Sequence, residues 1–147
     1  MLEALIMTDY NLVVEQRWSS HPCNVHNARI SIREFVSRYA LDFVDLIELA
    51  IGEACANAVE HGSPAGDCNH FTLRCGLAPS RKEMVFEVED ERLDFALKSV
   101  SAQQAPDLES EGGRGLFLMN QIMDDVSLMN SNRGQVVRMT KRIAQAS

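Results

Sequence analysis

ELAIGEACANAVEHG, residues 48–62, is the stretch on which the reading of this chain turns. It belongs to the longest helical pattern present, rich in Ala, Leu, Ile and Glu, which runs from about Phe43 to His61 and is stopped by Gly62, Ser63 and Pro64. At ~100° per residue, the four-residue spacing of Glu53, Asn57 and His61 makes a slowly drifting stripe beside Glu60. Ile47, Ile51, Ala54, Cys55, Ala58 and Val59 take the other side. One side of this helix is therefore core, and the other carries groups of the kind that hold ligands. A carboxylate one turn before a carboxamide is a useful pair. The amide oxygen can coordinate Mg²⁺ while the carboxylate orients or deprotonates an attacking hydroxyl or water. An ordinary water-facing helix surface carries the same two residue types, so the pair needs company before it points to chemistry.

Working outward, residues from about Tyr10 to Trp18 predict a strand, closed by a turn around Pro22. A helix is predicted from about Val25 to Tyr39, with Ala28, Ile32, Phe35, Val36 and Tyr39 on its apolar side and Arg29, Arg33 and Arg38 outside it. Beyond the central helix, FTLRCGL (71–77) and EMVFEVED (83–90) alternate as a strand pair joined by APSRK. From Glu91 to Gly113 the apolar rhythm weakens around Pro106 and the acidic Asp107, Glu109 and Glu111. A loop this long in a compact domain is usually functional, often a lid. A helix from about Arg114 to Asp125 follows, then strands VSLMN and QVVRMTKRI joined by SNRG. Hairpin-linked strands with three helices to place predict an α+β fold. This is a two-layer sandwich in which a mixed, mostly antiparallel sheet is covered on one face by three helices. The whole of 1–147 is expected to be one domain.

The chain carries 21 acidic against 14 basic residues, a formal net charge of −7, which argues against a nucleic-acid surface, where clustered Lys and Arg are needed. Proteins or small ligands are the expected partners, and a nucleotide stays open because backbone N–H groups and a cation can hold phosphates. Cys23, Cys55, Cys68 and Cys75 have no CxxC spacing, and a string of His61, Cys68, His70 and Cys75 matches no common zinc module. Neither a signal segment nor a membrane span is read, so residence in the cytoplasm is expected.

EGGRGLFLMNQIMDDV (111–126) places three glycines directly before an amphipathic helix. Glycines let backbone approach a phosphate, and the free N–H groups of a helix N-terminus favour anions. The same pattern also serves as a plain hinge, and neither a P-loop Lys nor a GxGxxG after a strand is present. In combination, ELAIGEACANAVEHG, a strand ending in VED and EGGRGLFLMNQIMDDVSL resemble the Bergerat-fold (GHKL) ATPases, most closely the RsbW/SpoIIAB group of anti-sigma-factor serine kinases. The resemblance runs from about Asn24 to Lys141.

By position, the resemblance implies that Glu53 is the general base or water-positioning carboxylate, that Asn57 is the Mg²⁺ ligand and that His61 closes the helix near the nucleotide. Asp90 would accept a hydrogen bond from the adenine amino group. Gly113, Arg114 and Gly115 would flank the triphosphate of ATP, and residues from about 97 to 113 would form the lid. Thr140 would stand on the adenine side, and Arg29 would engage partner proteins. The implied partners are a STAS-type antagonist, a sigma factor and a second copy of the chain. One departure is plain: the family's Asp-x-Gly-x-Gly box reads Asp90-Glu91-Arg92-Leu93-Asp94, with Arg92 and Asp94 at the glycine positions. Side chains there would crowd the backbone route around the adenine pocket. Two function classes therefore stay open, an ATP-dependent kinase and a nucleotide-impaired protein-binding switch of the same fold. A histidine-kinase ATPase piece, a third class, would need a phosphoacceptor helix from another chain.

Overall fold

Pro22 starts a helix instead of closing a turn. In the computed structural model, which describes residues 9–92 and 113–143, strand β1 covers Asn11–Ser19 and helix α1 covers Pro22–Tyr39. Proline is well placed in a first turn, where its missing N–H is no loss, and the His21 ring accepts from the Cys23 amide to cap the end. The short 3-10 turn Leu41–Phe43 leads into α2, Val44–Glu60. There follow the 3-10 turn Gly66–Cys68, strands β2 (His70–Leu77) and β3 (Glu83–Glu89), helix α3 (Gly113–Ile122), and strands β4 (Asp125–Asn130) and β5 (Gln135–Arg142). Helix α3 ends earlier than its sequence pattern because the Asp124 amide donates to the Thr140 carbonyl and so brings the chain into the sheet.

The strand order is β1-β2-β3-β5-β4, and every pairing among the described strands is antiparallel. Side-chain alternation sorts the sheet into two unlike faces. Leu73 and Cys75 of β2 and Met84 and Phe86 of β3 pack with Ile32 and Phe35 of α1, Ile47, Ile51 and Cys55 of α2 and Met119 of α3. Phe35 meets Phe86 edge to face at 5.8 Å, a favoured aromatic geometry. The three helices thus share one side of the sheet, giving the two-layer α+β sandwich, with α2 packed between α1 and α3. Burial in this layer pushes the Cys55 thiol up to about 12 and the Cys75 thiol well above its ordinary value, whereas Cys23 and Cys68 are exposed. No helix of the described residues is long and apolar enough to cross a membrane.

The opposite face of the sheet carries charge in an ordered row. In register across four strands stand Glu15, Arg74, Glu87 and Arg138, alternating in sign. Arg74 donates from Nε to Glu87 Oε1 at 2.8 Å and from Nη1 to Glu89 Oε1 at 3.1 Å, and Glu15 Oε2 lies 3.7 Å away. Arg74 is 1% exposed and Glu87 0%. Burial pushes the Glu87 carboxyl up, and the guanidinium beside it pulls the other way. A slip of one residue in any of these strands would carry its charges into the apolar layer, so the row fixes the register. Removing its centre leaves two buried carboxylates without their cation. Arg74→Met is expected to cost about 3–5 kcal/mol of unfolding free energy. Arg74→Met combined with Glu87→Met should recover a large part of the loss, both read from urea denaturation midpoints.

Candidate functional site

The C-terminus of α2 is closed by its own chain. The amides of His61 and Gly62 donate to the Asn57 carbonyl at 2.8 and 3.2 Å, and Ser63 Oγ donates to the Ala58 carbonyl at 2.7 Å. Just past this end, the Glu91 amide donates to the Gly62 carbonyl at 3.2 Å, which ties the exit of β3 to the exit of α2. Glu91 is anchored in turn. Its carboxylate accepts from the His70 amide at 2.6 Å, from Asn69 Nδ2 at 3.1 Å and from Arg17 at 3.0 Å.

Asp90 lies between these ties and is 5% exposed. Its Oδ1 accepts from the backbone amides of Arg92 and Gln135, each at 2.9 Å, and its own amide donates to the Gln135 carbonyl at 3.0 Å. Burial pushes the Asp90 carboxyl above its ordinary value, with the two amides opposing the shift. Two glycines make room for this arrangement. A Cβ on Gly62 would overlap Asp90 Oδ2, and one on Gly134 would stand 2.5 Å from the Asp90 carbonyl oxygen and 2.6 Å from the Arg92 nitrogen. Both neighbours at Gly134 are backbone and cannot swing aside.

A third close approach joins α3 to α2. A Cβ on Gly115 would lie 2.7 Å from Asn57 Nδ2 and 3.6 Å from Glu53 Oε2. The first turn of α3 therefore rests directly against the acid and amide of α2, at the helix end where backbone N–H groups are left over. Between α2, α3 and the sheet opens a cavity of about 480 Å³, walled by Asn57, His61, Asp90, Arg92, Met119, Gln135 and Val137 among others. That size is in the range of small-ligand sites.

Asn57, His61 and Asp90 meet in this one cavity, with Glu53 beside it across Gly115. Gly113 and Arg114 are the first two residues of α3. Thr140 is not among the lining residues: Gln135 and Val137 of β5 face the cavity, and strict alternation turns Thr140 to the other side of the sheet. Arg29 also stands apart. Its guanidinium occupies the notch above Gly52, where a Cβ would be 2.6 Å from its central carbon, on the α1 side of α2. The proposed lid from 97 to 112, and Asp94, fall outside the described residues. Arg92, at a glycine position of the Asp90 box, lines the wall, and so does Gln135. Nothing in the residue type of Gln135 marks it as cavity-forming, and the signal that could have found it is its place next to Gly134.

The family model described as histidine kinase-like ATPase domain matches residues 18–141. The serine-protein kinase RsbW of Bacillus subtilis is 31% identical over 135 residues, covering 87% of this chain and 84% of its own. The chain belongs to the RsbW family of histidine kinase-like ATPase domains. The RsbW of Bacillus cereus strain B4264 is 33% identical over 112 residues, covering 71% of this chain and 68% of that one. Among solved structures, the RsbU and RsbW domains of a Mycobacterium tuberculosis protein share the fold, with a TM-score of 0.64, 18% identity, and coverage of 92% of this chain and 34% of that one.

Asp90 sets a pH dependence whose sign follows from its raised value. A carboxyl that holds its proton more tightly when folded favours the fold below its ordinary value of 3.8, and that contribution is lost as the pH rises through the raised value. Asp90→Asn keeps an oxygen for the two backbone amides and removes the charge. Urea unfolding across a pH series should show the Asn variant as the more stable form at pH 7, with the difference closing toward low pH.

Proposed function

We propose that the chain is an ATP- and Mg²⁺-dependent protein serine/threonine kinase and anti-sigma factor. It phosphorylates a serine or threonine of a STAS-type antagonist and sequesters a sigma factor, the two partners exchanging on one protein. The observation that carries the reading is the contact of Gly115 with Asn57 and Glu53. It sets the leftover amides of a helix start against an acid and an amide, which is what transfer of a phosphoryl group asks of a protein: positioning and charge compensation with little covalent work.

The resemblance implies the role of each residue, and the meeting of Asn57, His61 and Asp90 in one cavity supports it. Asp90 accepts from the adenine amino group, and Asn57 and His61 line the path from base to phosphates. The backbone of Gly113, Arg114 and Gly115 donates to phosphate oxygens. Glu53 orients the acceptor hydroxyl and takes its proton. No cluster of three His, Cys, Asp or Glu forms a metal cage among the described residues. One amide oxygen beside one carboxylate suits Mg²⁺, which keeps water ligands and completes its shell from phosphates. Asn57 would hold the ion there, and it would supply charge compensation at the phosphates.

A protein acceptor, as opposed to water, is supported by the surface next to Glu53. Leu46 and Leu49, two turns and one turn earlier on α2, are 49% and 39% exposed, and Arg29 supplies a cation on the neighbouring helix. The resemblance carries the identity of the partners, homodimerisation and work in the cytoplasm. A second reading, a nucleotide-impaired binding switch, is favoured by Arg92 on the cavity wall.

The purified chain, labelled ATP and a STAS-type protein decide between them. Phosphate should appear on the acceptor. Glu53→Gln should lower the transfer rate by about 10²–10⁴-fold with ATP binding kept, and Asn57→Ala should lose Mg²⁺-dependent ATP binding. Absence of ATP binding by the parent chain would leave only the switch.

A further inference from the structure

Arg92 stands at a position where the resemblance expects no side chain, and the structure gives it a defined place. Its backbone is held twice. The amide donates to Asp90 Oδ1 at 2.9 Å, and Gly134 presses so closely that an added Cβ would lie 2.6 Å from the Arg92 nitrogen. Arg92 lines the same cavity as Asp90. The Nε of Arg92 is 3.8 Å from Asp90 Oδ2, too long for a hydrogen bond, and this buried nitrogen has no hydrogen-bond partner among the described residues. Buried donors without partners are rare, and a guanidinium cannot escape by losing its proton. With Asp90 Oδ1 occupied by two amides, Oδ2 is the oxygen left for a ligand.

We propose that Arg92 is a base-reading residue, its guanidinium and the Asp90 carboxylate forming a donor–acceptor pair that recognises an amino group next to a ring nitrogen. This rests on the nucleotide reading above and specifies how that site selects its base. Adenine presents such an edge, an exocyclic amino donor flanked by the ring acceptors N1 and N7. Asp90 takes the amino hydrogen and Arg92 donates to one flanking nitrogen. A base with a carbonyl in place of the amino group sets oxygen against the carboxylate and is rejected. The missing glycine is, on this account, a change in how adenine is held, and the cavity of about 480 Å³ keeps room for it.

Calorimetric titration of the full chain with the Mg²⁺ complexes of ATP, 1-deaza-ATP and 7-deaza-ATP tests this, with Arg92→Gly titrated in parallel. The parent chain should bind one of the two deaza analogues about tenfold more weakly than ATP, as loss of a hydrogen bond to a charged donor implies. Arg92→Gly should bind ATP about tenfold more weakly and no longer distinguish that analogue. The inference is overturned if Arg92→Gly binds ATP as tightly as the parent or more tightly, or if the parent chain treats both analogues as it treats ATP. Failure of the kinase reading looks different: neither parent nor Arg92→Gly binds ATP at all, and the inference falls with it.

Discussion

A carboxylate buried at the end of a strand has to find its donors close by, and Asp90 finds them in two backbone amides that belong to different parts of the chain. Arg92 is two residues on, but Gln135 starts β5, 45 residues away, so satisfying one oxygen fixes the β3 exit against the β5 entry. The Glu91 amide on the Gly62 carbonyl adds the end of α2 to the same point. Without side chains at 62 and 134 these three segments close around the acid. With them, backbone would have to part. Asp90, Arg92 and Gln135 of this meeting point all line the cavity.

Helix α2 is the element on which the two layers and the site all bear. Its apolar side is consumed by the sheet, its flank at Gly52 and Cys55 by α1, and its flank at Asn57 by α3. What remains is the narrow strip with Leu46, Leu49 and Glu53, partly open to solvent. A ligand-type residue on such a helix must therefore lie either on that strip or under α3. Glu53 and Asn57 take one position each, and so a single helix turn joins an open surface to an enclosed one.

How much of this was legible in the sequence differs from residue to residue. The two-sidedness of α2 was, since period and residue type both speak for it, and so was the order of elements. Pro22 misled because proline with polar neighbours serves turns and first helical turns alike, and only the His21 cap distinguishes them. For Thr140 the resemblance works only by likeness along the strand. Register decides the side a strand residue faces, and register depends on partners the chain does not announce. The alternating row through Arg74 was invisible for the same reason: each of its members is an ordinary strand residue until the four strands are laid side by side. Gly62 could be read as a helix stop, but its pressure on Asp90 belongs to tertiary structure alone.

The four cysteine thiols divide cleanly by place. Cys23 and Cys68 meet the solvent, while Cys55 and Cys75 are sealed between the helical layer and the sheet, protonated at any physiological pH. An alkylating reagent needs the thiolate and needs contact, so two of the sulfurs react at once and two must wait until α2 lifts from β2. The molecule thus carries its own clock for the separation of its layers, readable by mass in intact chains.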